Sequence, residues 1–293
     1  MSFMNQKLTS ILASSGLLLT AAIWGFSFVI VKDSLDYMDA MYMVACRYTI
    51  AAAVMGIIFI KKWKLLNKDY LVHGSLTGAF LFLGYLTQTI GCRYTTAGKN
   101  AFLTTVYVIL IPFIAWLLTK KRPGIFVFLA AVMSLTGIGF LALGSEEITG
   151  VNRGDVLTLV CGVFFALHII YTERFNSKGG DPLFLTLLQF VFTALAGWIT
   201  AALFAPQFSS QELFSSNAAL SLLYLGIFST MVGFSLQNLG LKYVKSSTAS
   251  LFLSFESVFG ILFSILFLHE VLTPLMILGC VLIFTAVLIA ENC

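Results

Sequence analysis

The sequence predicts an all-α polytopic membrane protein, with ten transmembrane helices in two inverted five-helix repeats and both termini in the cytoplasm. Three observations lead to this prediction: the composition, the number of apolar spans and an internal repeat. The chain has 293 residues, of which 59% are hydrophobic and only 10% are charged, whereas about 25% of the residues of a soluble domain are charged. Together with a mean hydropathy of +0.97, this composition excludes an ordinary soluble domain.

The apolar residues fall into runs that are long enough to cross a bilayer. A spanning helix needs about 20 apolar residues, and ten such runs are present, with short connections between them. They are Ile11 to Val31, Ala40 to Ile60, Tyr70 to Ile90, Asn100 to Leu118, Gly124 to Leu143, Gly154 to Tyr171, Pro182 to Ala205, Ala218 to Asn238, Thr248 to Leu268 and Pro274 to Ala290. No cleavage site follows the first run, so we expect it to be retained as a helix.

Lys and Arg residues in the connections indicate the orientation, because cytoplasmic loops carry an excess of them. With the N-terminus inside, the inside segments carry twelve of these residues and the outside segments carry four. Both termini are therefore expected in the cytoplasm. The basic residues form short clusters between apolar runs, which argues against a nucleic-acid partner despite the net charge of +4.

An internal repeat divides the chain into two halves. Four residue types recur at identical spacing, 149 residues apart: Gly84, Gln88, Gly91 and Tyr94 correspond to Gly233, Gln237, Gly240 and Tyr243. Their steps of four, three and three place them on one helical face. A weaker correspondence links Asp39, eight residues before Arg47, to Asp181, eight residues before Gln189. We therefore predict one repeat over residues 1–148 and a second over residues 149–293.

The odd number of spans in each repeat has a geometric consequence. The second repeat enters the membrane upside down, so a pseudo-twofold axis in the membrane plane relates the halves. This arrangement is typical of transporters that work by alternating access, with a binding site near the midplane where the repeats meet. The 149-residue register places Tyr107 of the fourth span opposite Glu256 of the ninth span at that depth.

Several segments carry a resemblance to a known family. They are AAIWGFSFVIVK at 21–32, the D-x7-RY pattern at 39–48, GCRYTTAGKNAFLTTVYVILIPFIAWLL at 91–118 and LKYVKSSTASLFLSFESVFGILFSILFLHEVLT at 241–273. In their order and spacing the chain resembles the EamA-like transporters of the drug/metabolite transporter superfamily. The resemblance implies a membrane carrier, commonly an exporter of amino acids or related small metabolites, with a central cavity lined by both repeats. The family often has an X-Pro pair in the ninth helix, whereas here Ser257 follows Glu256.

Glu256 is the first candidate for a functional residue. It lies about eight residues inside an apolar run, where a carboxylate costs roughly 2.5 to 3.5 kcal/mol on insertion scales. Such a group needs a partner, a water-filled cavity or a protonation cycle, so we expect it to bind substrate and to couple transport to protons. The alternative role is a neutral carboxyl group that joins two helices. His168 is the second candidate for proton coupling, with neutral packing as its alternative role.

Arg47 lies about eight residues inside the second span. Its guanidinium is suited to hold a substrate carboxylate, or it extends to the membrane interface or pairs with Asp36 or Asp39. Trp24 either stacks on a planar substrate or anchors its helix at the interface. The roles of both residues stay open at the level of sequence.

The remaining candidates are polar side chains within apolar helices. Asn100, Thr104 and Tyr107 form a stripe on one face of the fourth span, which favours a cavity. Gln88 and Gln237 are expected to make interhelical hydrogen bonds in the repeat scaffold. The predicted substrate-binding set is Trp24, Ser27, Arg47, Tyr85, Asn100, Thr104, Tyr107, His168 and Glu256.

These features predict a secondary active transporter, an exporter of small metabolites such as amino acids, coupled to protons, in the plasma membrane and specifically the cytoplasmic membrane of a bacterium. An importer of a vitamin or nucleobase-like compound is the alternative, and a lipid-handling flippase is the alternative from another class. An enzyme is disfavoured because no second acid, nucleophile or metal motif accompanies Glu256. The five cysteines show no metal-binding spacing, no cofactor is expected, and no Walker-type loop indicates ATP as the energy source. Substrate identity, the direction of transport, the coupling ion and the oligomeric state stay open.

Overall fold

The computed structural model describes residues 3–143, 152–205, 216–268 and 273–291, and these residues contain helices and connections but no strand. The predicted boundary between the repeats, at residues 148 and 149, lies outside the described residues. The helical part of the predicted fold class is confirmed.

The described ranges contain thirteen α-helices and one π-helical segment. They are α1 (Phe3–Ser34), α2 (Ala40–Ile58), α3 (Lys68–Tyr94), α4 (Ala97–Thr104), α5 (Tyr107–Thr119), α6 (Ile125–Leu143), α7 (Arg153–Asn176), α8 (Pro182–Phe204), α9 (Ser216–Leu223), a π-helical segment (Tyr224–Val232), α10 (Gly233–Gly240), α11 (Ser246–Leu253), α12 (Phe255–Leu268) and α13 (Pro274–Glu291). A 3-10 turn, Ile60–Leu65, follows α2.

Seven helical stretches in the described ranges are long and apolar enough to cross a membrane. They are Leu8–Ser34, Ala40–Ile58, Asn100–Thr119, Arg153–Asn176, Pro182–Phe204, Asn217–Gly240 and Ser246–Phe267, with two shorter apolar helices at Ile125–Phe140 and Ile277–Ala286. The 27 residues of α3 are not among them, since polar side chains such as His73, Thr77 and Gln88 lower its hydropathy. A multi-pass membrane protein is thus supported, while the count of ten crossings stays a prediction.

Two of these stretches are interrupted in the middle, in each case beside a hydroxyl side chain. Between α4 and α5, the hydroxyl of Thr105 donates to the carbonyl of Phe102 at 2.7 Å. Between α11 and α12, the hydroxyl of Ser254 donates likewise to Leu251 at 2.7 Å. Such local hydrogen bonds compete with the regular helix ladder. A proline inside a span is a common cause of a kink, and the sequence predicts one at Pro112. The interruption lies upstream of this proline, which is accommodated inside α5.

Some helix boundaries of the first half of the chain recur in the second half. Helices α4 and α11 cover eight residues each and begin 149 residues apart, at Ala97 and Ser246. Asp39 and Asp181 occupy the same position, each capping the helix that follows by accepting a hydrogen bond from a backbone N–H. The main packing contacts join α3 to α7, α6 to α13, α2 to α8 and α1 to α12.

A glycine allows α6 and α13 to approach closely. A Cβ atom on Gly137 would lie 2.7 Å from the carbonyl oxygen of Gly279 and 3.0 Å from Leu282 Cβ. Two residues further along, a Cβ on Gly139 would meet no atom within 4 Å. Substitutions at these two positions therefore distinguish the effect of close helix packing from the effect of helix propensity.

We expect Gly137→Ala to destabilise the purified protein, because overpacking a tight contact costs about 1–3 kcal/mol. The matched variant Gly139→Ala should leave the melting temperature in detergent unchanged or raised, since Ala is favoured over Gly in helices by about 1 kcal/mol. Equal melting temperatures for the two variants would contradict the close packing of α6 on α13.

Candidate functional site

A cavity lies at the centre of the described bundle, between helices of both halves. Every lining residue except the half-buried Gln88 is buried. The cavity offers about 40 Å³ to the centres of water molecules, room for roughly three of them at 10–15 Å³ each. It is lined by Trp24, Ser27, Phe28, Val31, Arg47, Tyr85, Gln88, Asn100, Thr104, Tyr107, Phe165, His168, Ile169, Ser229, Phe234, Gln237 and Glu256.

The lining contains the complete set of nine residues that the sequence singled out, although they come from seven separate helices. The two glutamines expected in the scaffold also reach it. Sequence reasoning missed the apolar lining residues, such as Phe165 and Phe234, because an aromatic residue in an apolar helix carries no distinguishing signal. It also missed Ser229. Substrate binding by the nine residues stays a prediction.

Glu256 contacts its counterpart in the repeat register. The hydroxyl of Tyr107 donates to Glu256 Oε1 at 3.2 Å, across 149 residues of sequence. Only 3% of Glu256 and 2% of Tyr107 are exposed, and no Lys, Arg or His nitrogen in the described ranges lies within 4.0 Å of the carboxylate. Each residue lies at the start of a helix that begins after a hydroxyl interruption. The carboxyl group therefore faces the cavity with a phenol as its hydrogen-bond partner.

Arg47 is fully enclosed, with 1% of its surface exposed, so it does not extend to the interface. Its Nε donates to Thr230 Oγ1 at 2.9 Å and its Nη2 donates to Ser229 Oγ at 2.8 Å. The guanidinium carbon lies 4.6 Å from the centre of the Tyr85 ring. The alternative pairing with Asp39 is wrong, because that carboxylate caps α2 and lies 3.7 Å from Arg93 Nη1 instead.

Trp24 forms part of an aromatic wall of the cavity. Its indole N–H donates to the backbone carbonyl of Ser229 at 2.8 Å, and its ring centre lies 4.9 Å from that of Phe234. The ring of Phe234 in turn lies 5.8 Å from Tyr85 and 5.7 Å from His168. With 9% of its surface exposed, Trp24 faces the interior, so the interface-anchor role is wrong.

The π-helical segment makes the contact with Trp24 possible. At its end, the backbone N–H of Gly233 donates to the carbonyls of Phe228 and Thr230, whereas a regular α-helix would direct it to Ser229. The carbonyl of Ser229 is thereby free to accept the indole N–H. A Cβ on Gly233 would lie 2.6 Å from Trp24 Nε1, so the close approach also requires glycine. The corresponding stretch of α3 is regular α-helix.

The polar stripe of the fourth span is tied to neighbouring helices. Gln88 donates to Thr104 Oγ1 at 3.1 Å, an interhelical bond of the kind expected. Asn100 Nδ2 donates to Thr158 Oγ1 at 2.8 Å and to the carbonyl of Gln88 at 3.2 Å. Asn100 Oδ1 has no hydrogen-bond partner in the part of the chain that the structure describes, and neither has His168 Nε2. Both atoms are candidates for contact with a substrate or water.

The second glutamine behaves differently from the first. Gln237 Nε2 donates to Oδ1 of its neighbour Asn238 at 3.1 Å, so its bond lies within one helix. Asn238 Nδ2 then donates to Thr186 at 2.7 Å and to Gln189 Oε1 at 3.0 Å. Gln189, the counterpart of Arg47, thus belongs to a buried polar network beside the cavity.

Charged pairs lie at the starts of α2 and α8, outside the spanning segments. Asp181 pairs with Lys62 and accepts the backbone N–H of Phe184 at 2.9 Å. Partial burial acts to raise the pKa of Asp181, but the hydrogen bonds from Lys62 and Phe184 and the charge of Lys62 outweigh it, so the pKa lies below its ordinary value. The backbone N–H of Asp181 also donates to the hydroxyl of Tyr70 at 2.7 Å.

Comparison with known proteins identifies the family. The model of the EamA-like transporter family matches residues 11–143 and 152–291. The chain belongs to the EamA-like transporter family. An uncharacterized transporter of Archaeoglobus fulgidus is 38% identical over 95% of this chain and 85% of its own length. The uncharacterized transporter YdfC of Bacillus subtilis is 24% identical over 94% of this chain and 89% of its own length.

A solved structure supports the fold of this EamA-like protein. The crystal structure of another protein superposes on this chain with a TM-score of 0.77 at 17% sequence identity. The match covers 97% of this chain and 96% of the other chain. At this identity the likeness concerns the fold alone. Family membership and the apolar helices together make the chain a multi-pass membrane transporter, with a lipid bilayer around it and a small molecule as substrate.

The lowered pKa of Asp181 predicts a pH-dependent contribution to stability. A carboxylate whose pKa is depressed by folding stabilises the folded state above its unfolded pKa, and this stabilisation is lost as pH falls through the folded pKa. Asp181→Asn keeps a side chain suited to the N-cap but removes the charge. We expect the melting temperature of wild type to exceed that of Asp181→Asn at pH 7, with the gap closing as pH is lowered toward 3. A gap that is constant with pH would contradict the ion pair with Lys62.

Proposed function

We propose that this EamA-like protein is a secondary active transporter that exports small metabolites such as amino acids in exchange for protons, by alternating access. The observation that carries the proposal is the central cavity that Arg47 and Glu256, one from each half of the chain, both line. Charged groups at membrane depth mark substrate and ion pathways. Export is inferred from what the family resemblance implies.

The proposal includes ten crossings in two inverted repeats over residues 1–148 and 149–293, with both termini in the cytoplasm. It is supported by the recurrence of α4 as α11, of the hydroxyl interruption at Thr105 as that at Ser254, and of the cap at Asp39 as that at Asp181. Inverted repeats exchange access to a central site by rocking against each other. The plasma membrane, in a bacterium the cytoplasmic membrane, is the proposed location.

Proton exchange rests on the surroundings of Glu256. The carboxyl group is buried, has a phenol as partner and lies in a cavity with room for water. A proton and a cationic or hydrogen-bonding substrate group compete for the same oxygens, which is the simplest way for one site to exchange the two. His168, also buried at the cavity, is the second group proposed to take part.

One observation favours a second candidate function, import of a vitamin or nucleobase-like compound. The cavity is walled by aromatic rings from Trp24, Tyr85, Phe165 and Phe234, with neighbouring centres 4.9–5.8 Å apart. Such walls suit a flat heteroaromatic ligand. A lipid flippase requires a cavity that opens sideways between helices, whereas the lining residues here are buried except for the half-buried Gln88.

We expect Glu256→Gln to abolish the pH dependence of transport while leaving the fold intact, because the amide keeps the size and hydrogen bonding of the side chain but does not titrate. Ligands would be identified by thermal shift of the purified protein against amino acids, nucleobases and vitamins. Uptake and efflux of each hit would then be measured in proteoliposomes with and without a pH gradient.

The control for this experiment is Tyr107→Phe, which removes the hydrogen bond to Glu256 and retains the carboxyl group. We expect this variant to keep a pH-dependent rate. Normal pH-dependent transport by Glu256→Gln would contradict the role of Glu256 in coupling transport to protons. Net movement of the hit out of inside-out vesicles, rather than into them, would favour the importer.

A further inference from the structure

Arg47 carries the one permanent charge among the residues that line the cavity. We infer that the transported substrate carries a carboxylate, and that Arg47 binds this carboxylate end-on through the N–H groups that the protein leaves without a partner. The inference rests on the proposed transport function and names the chemical group that the same cavity recognises.

The charge of Arg47 is permanent and buried. A guanidinium stays protonated in proteins, so it cannot become neutral as a buried carboxyl group or histidine can. Only 1% of Arg47 is exposed, which removes most of the water that would solvate the charge. A charge in this position calls for a counter-ion.

The described residues provide no such counter-ion. No carboxylate oxygen in the described ranges lies within 4.0 Å of the guanidinium nitrogens. Its polar contacts are the hydroxyls of Ser229 and Thr230, both neutral, and the face of the Tyr85 ring. Glu256, the one acidic residue in the cavity lining, accepts a hydrogen bond from Tyr107 instead. An anion in the cavity would supply the missing charge.

Two N–H groups of Arg47 that have no partner in the described ranges lie together at one end of the guanidinium. A guanidinium has five N–H groups in a fixed plane, and Thr230 and Ser229 take one on Nε and one on Nη2. The side edge of the fork is thus held by the protein. Three N–H groups are left, two on Nη1 and one on Nη2. One N–H of Nη1 and the remaining N–H of Nη2 lie side by side at the end of the fork, which matches the two oxygens of a carboxylate.

The π-helical segment holds Arg47 in this orientation. Ser229 and Thr230 are consecutive residues of the π-helical segment, and the carbonyl of Ser229 also holds the indole of Trp24. The segment therefore fixes both the cation and one aromatic wall. Its counterpart in α3 is regular helix, and Gln189, the counterpart of Arg47, bonds to Asn238 beside the cavity. The anion site is thus built from one π-helical segment and one arginine, without a copy in the other half. Ser229 and Thr230 are positioning residues for Arg47.

The remaining lining indicates the rest of the substrate. The rings of Tyr85, Phe165 and Phe234 suit an apolar or aromatic body. Asn100 Oδ1, an acceptor without a partner in the described ranges, suits a hydrogen-bond donor such as an amine or a ring N–H. The structure assigns the site to small carboxylates with an apolar body.

The test compares acids with their primary amides, which have nearly the same shape but lack the charge. Suitable pairs are phenylacetate and phenylacetamide, nicotinate and nicotinamide, and L-leucine and L-leucinamide. Dissociation constants would be measured for the purified full chain from the dependence of the melting temperature on ligand concentration. For at least one pair we expect the wild type to bind the acid at least tenfold more tightly than the amide.

Variants of Arg47 and of its hydrogen-bond partners test which residues cause the preference for the acid over the amide. Arg47→Gln should bind acid and amide alike, and Arg47→Lys should lose about tenfold for the acid despite keeping the charge, because an ammonium does not reproduce the fork. Ser229→Ala combined with Thr230→Val retains Arg47 and should weaken acid binding several-fold with little effect on the amide. Thr49→Val, two residues from Arg47 and exposed on the far side of α2, is the matched control and should bind as wild type does.

The outcomes separate this inference from the proposed function. Transport of a ligand with equal affinity of wild type for acid and amide would overturn the carboxylate inference and leave the transport function standing. An unchanged acid preference in Arg47→Gln, or in the double variant if Arg47→Gln does not fold, would overturn the role of Arg47. Failure of every acid and amide to bind, alongside binding of cations or neutral nucleobases, would also overturn the inference. Failure of all compounds to bind or to be transported would count against both proposals.

Discussion

Every polar group at membrane depth has to find its partners inside the protein, because lipid offers none. This constraint organises the bundle around its centre. Gln88 reaches Thr104, Asn100 reaches Thr158, and Asn238 reaches Thr186 and Gln189, each from one helix to another. Two of the atoms left without a partner in the described ranges, Asn100 Oδ1 and His168 Nε2, belong to residues that line the cavity, as Arg47 does. A transporter that must release its ligand benefits from such unsatisfied groups, since a substrate can pair with them and leave again.

The two halves share their framework but differ in chemistry. Tyr107 and Glu256 hold the same register and contact each other, yet one is a phenol and the other an acid. Arg47 and Gln189 likewise hold equivalent positions after their capping aspartates, but only Arg47 lines the cavity. The π-helical turn also occurs in one half only among the described residues. The cavity thus lies between the halves, and the residues that differ between them supply its permanent charge, its carboxyl group and part of its aromatic wall.

Much of the candidate site was predictable because polar residues are conspicuous in apolar helices. Arg47, Asn100 and Glu256 could be selected for this reason alone, and all reach one cavity. Phe234 could not be selected, because an aromatic residue that lines a cavity has the same neighbours in sequence as one that faces lipid. Ser229 was missed for a different reason: a π-helical register shifts which residues share a face, and the spacing rules for an α-helix do not anticipate it. The break at Ser254 was missed as well, since a hydroxyl marks a kink less clearly than a proline does.

The sequence by itself determined the class of protein and the spacing of its elements. Hydropathy depends on composition within one segment, so the apolar helices could be read locally, and the 149-residue register is a property of the chain order. Only the tertiary structure excluded the interface roles of Arg47 and Trp24, because burial of these residues depends on contacts across more than 180 residues, to Ser229 and Thr230. Burial, hydrogen-bond partners and the direction of a guanidinium are set by which helices pack together, and packing is not encoded in any single stretch of sequence.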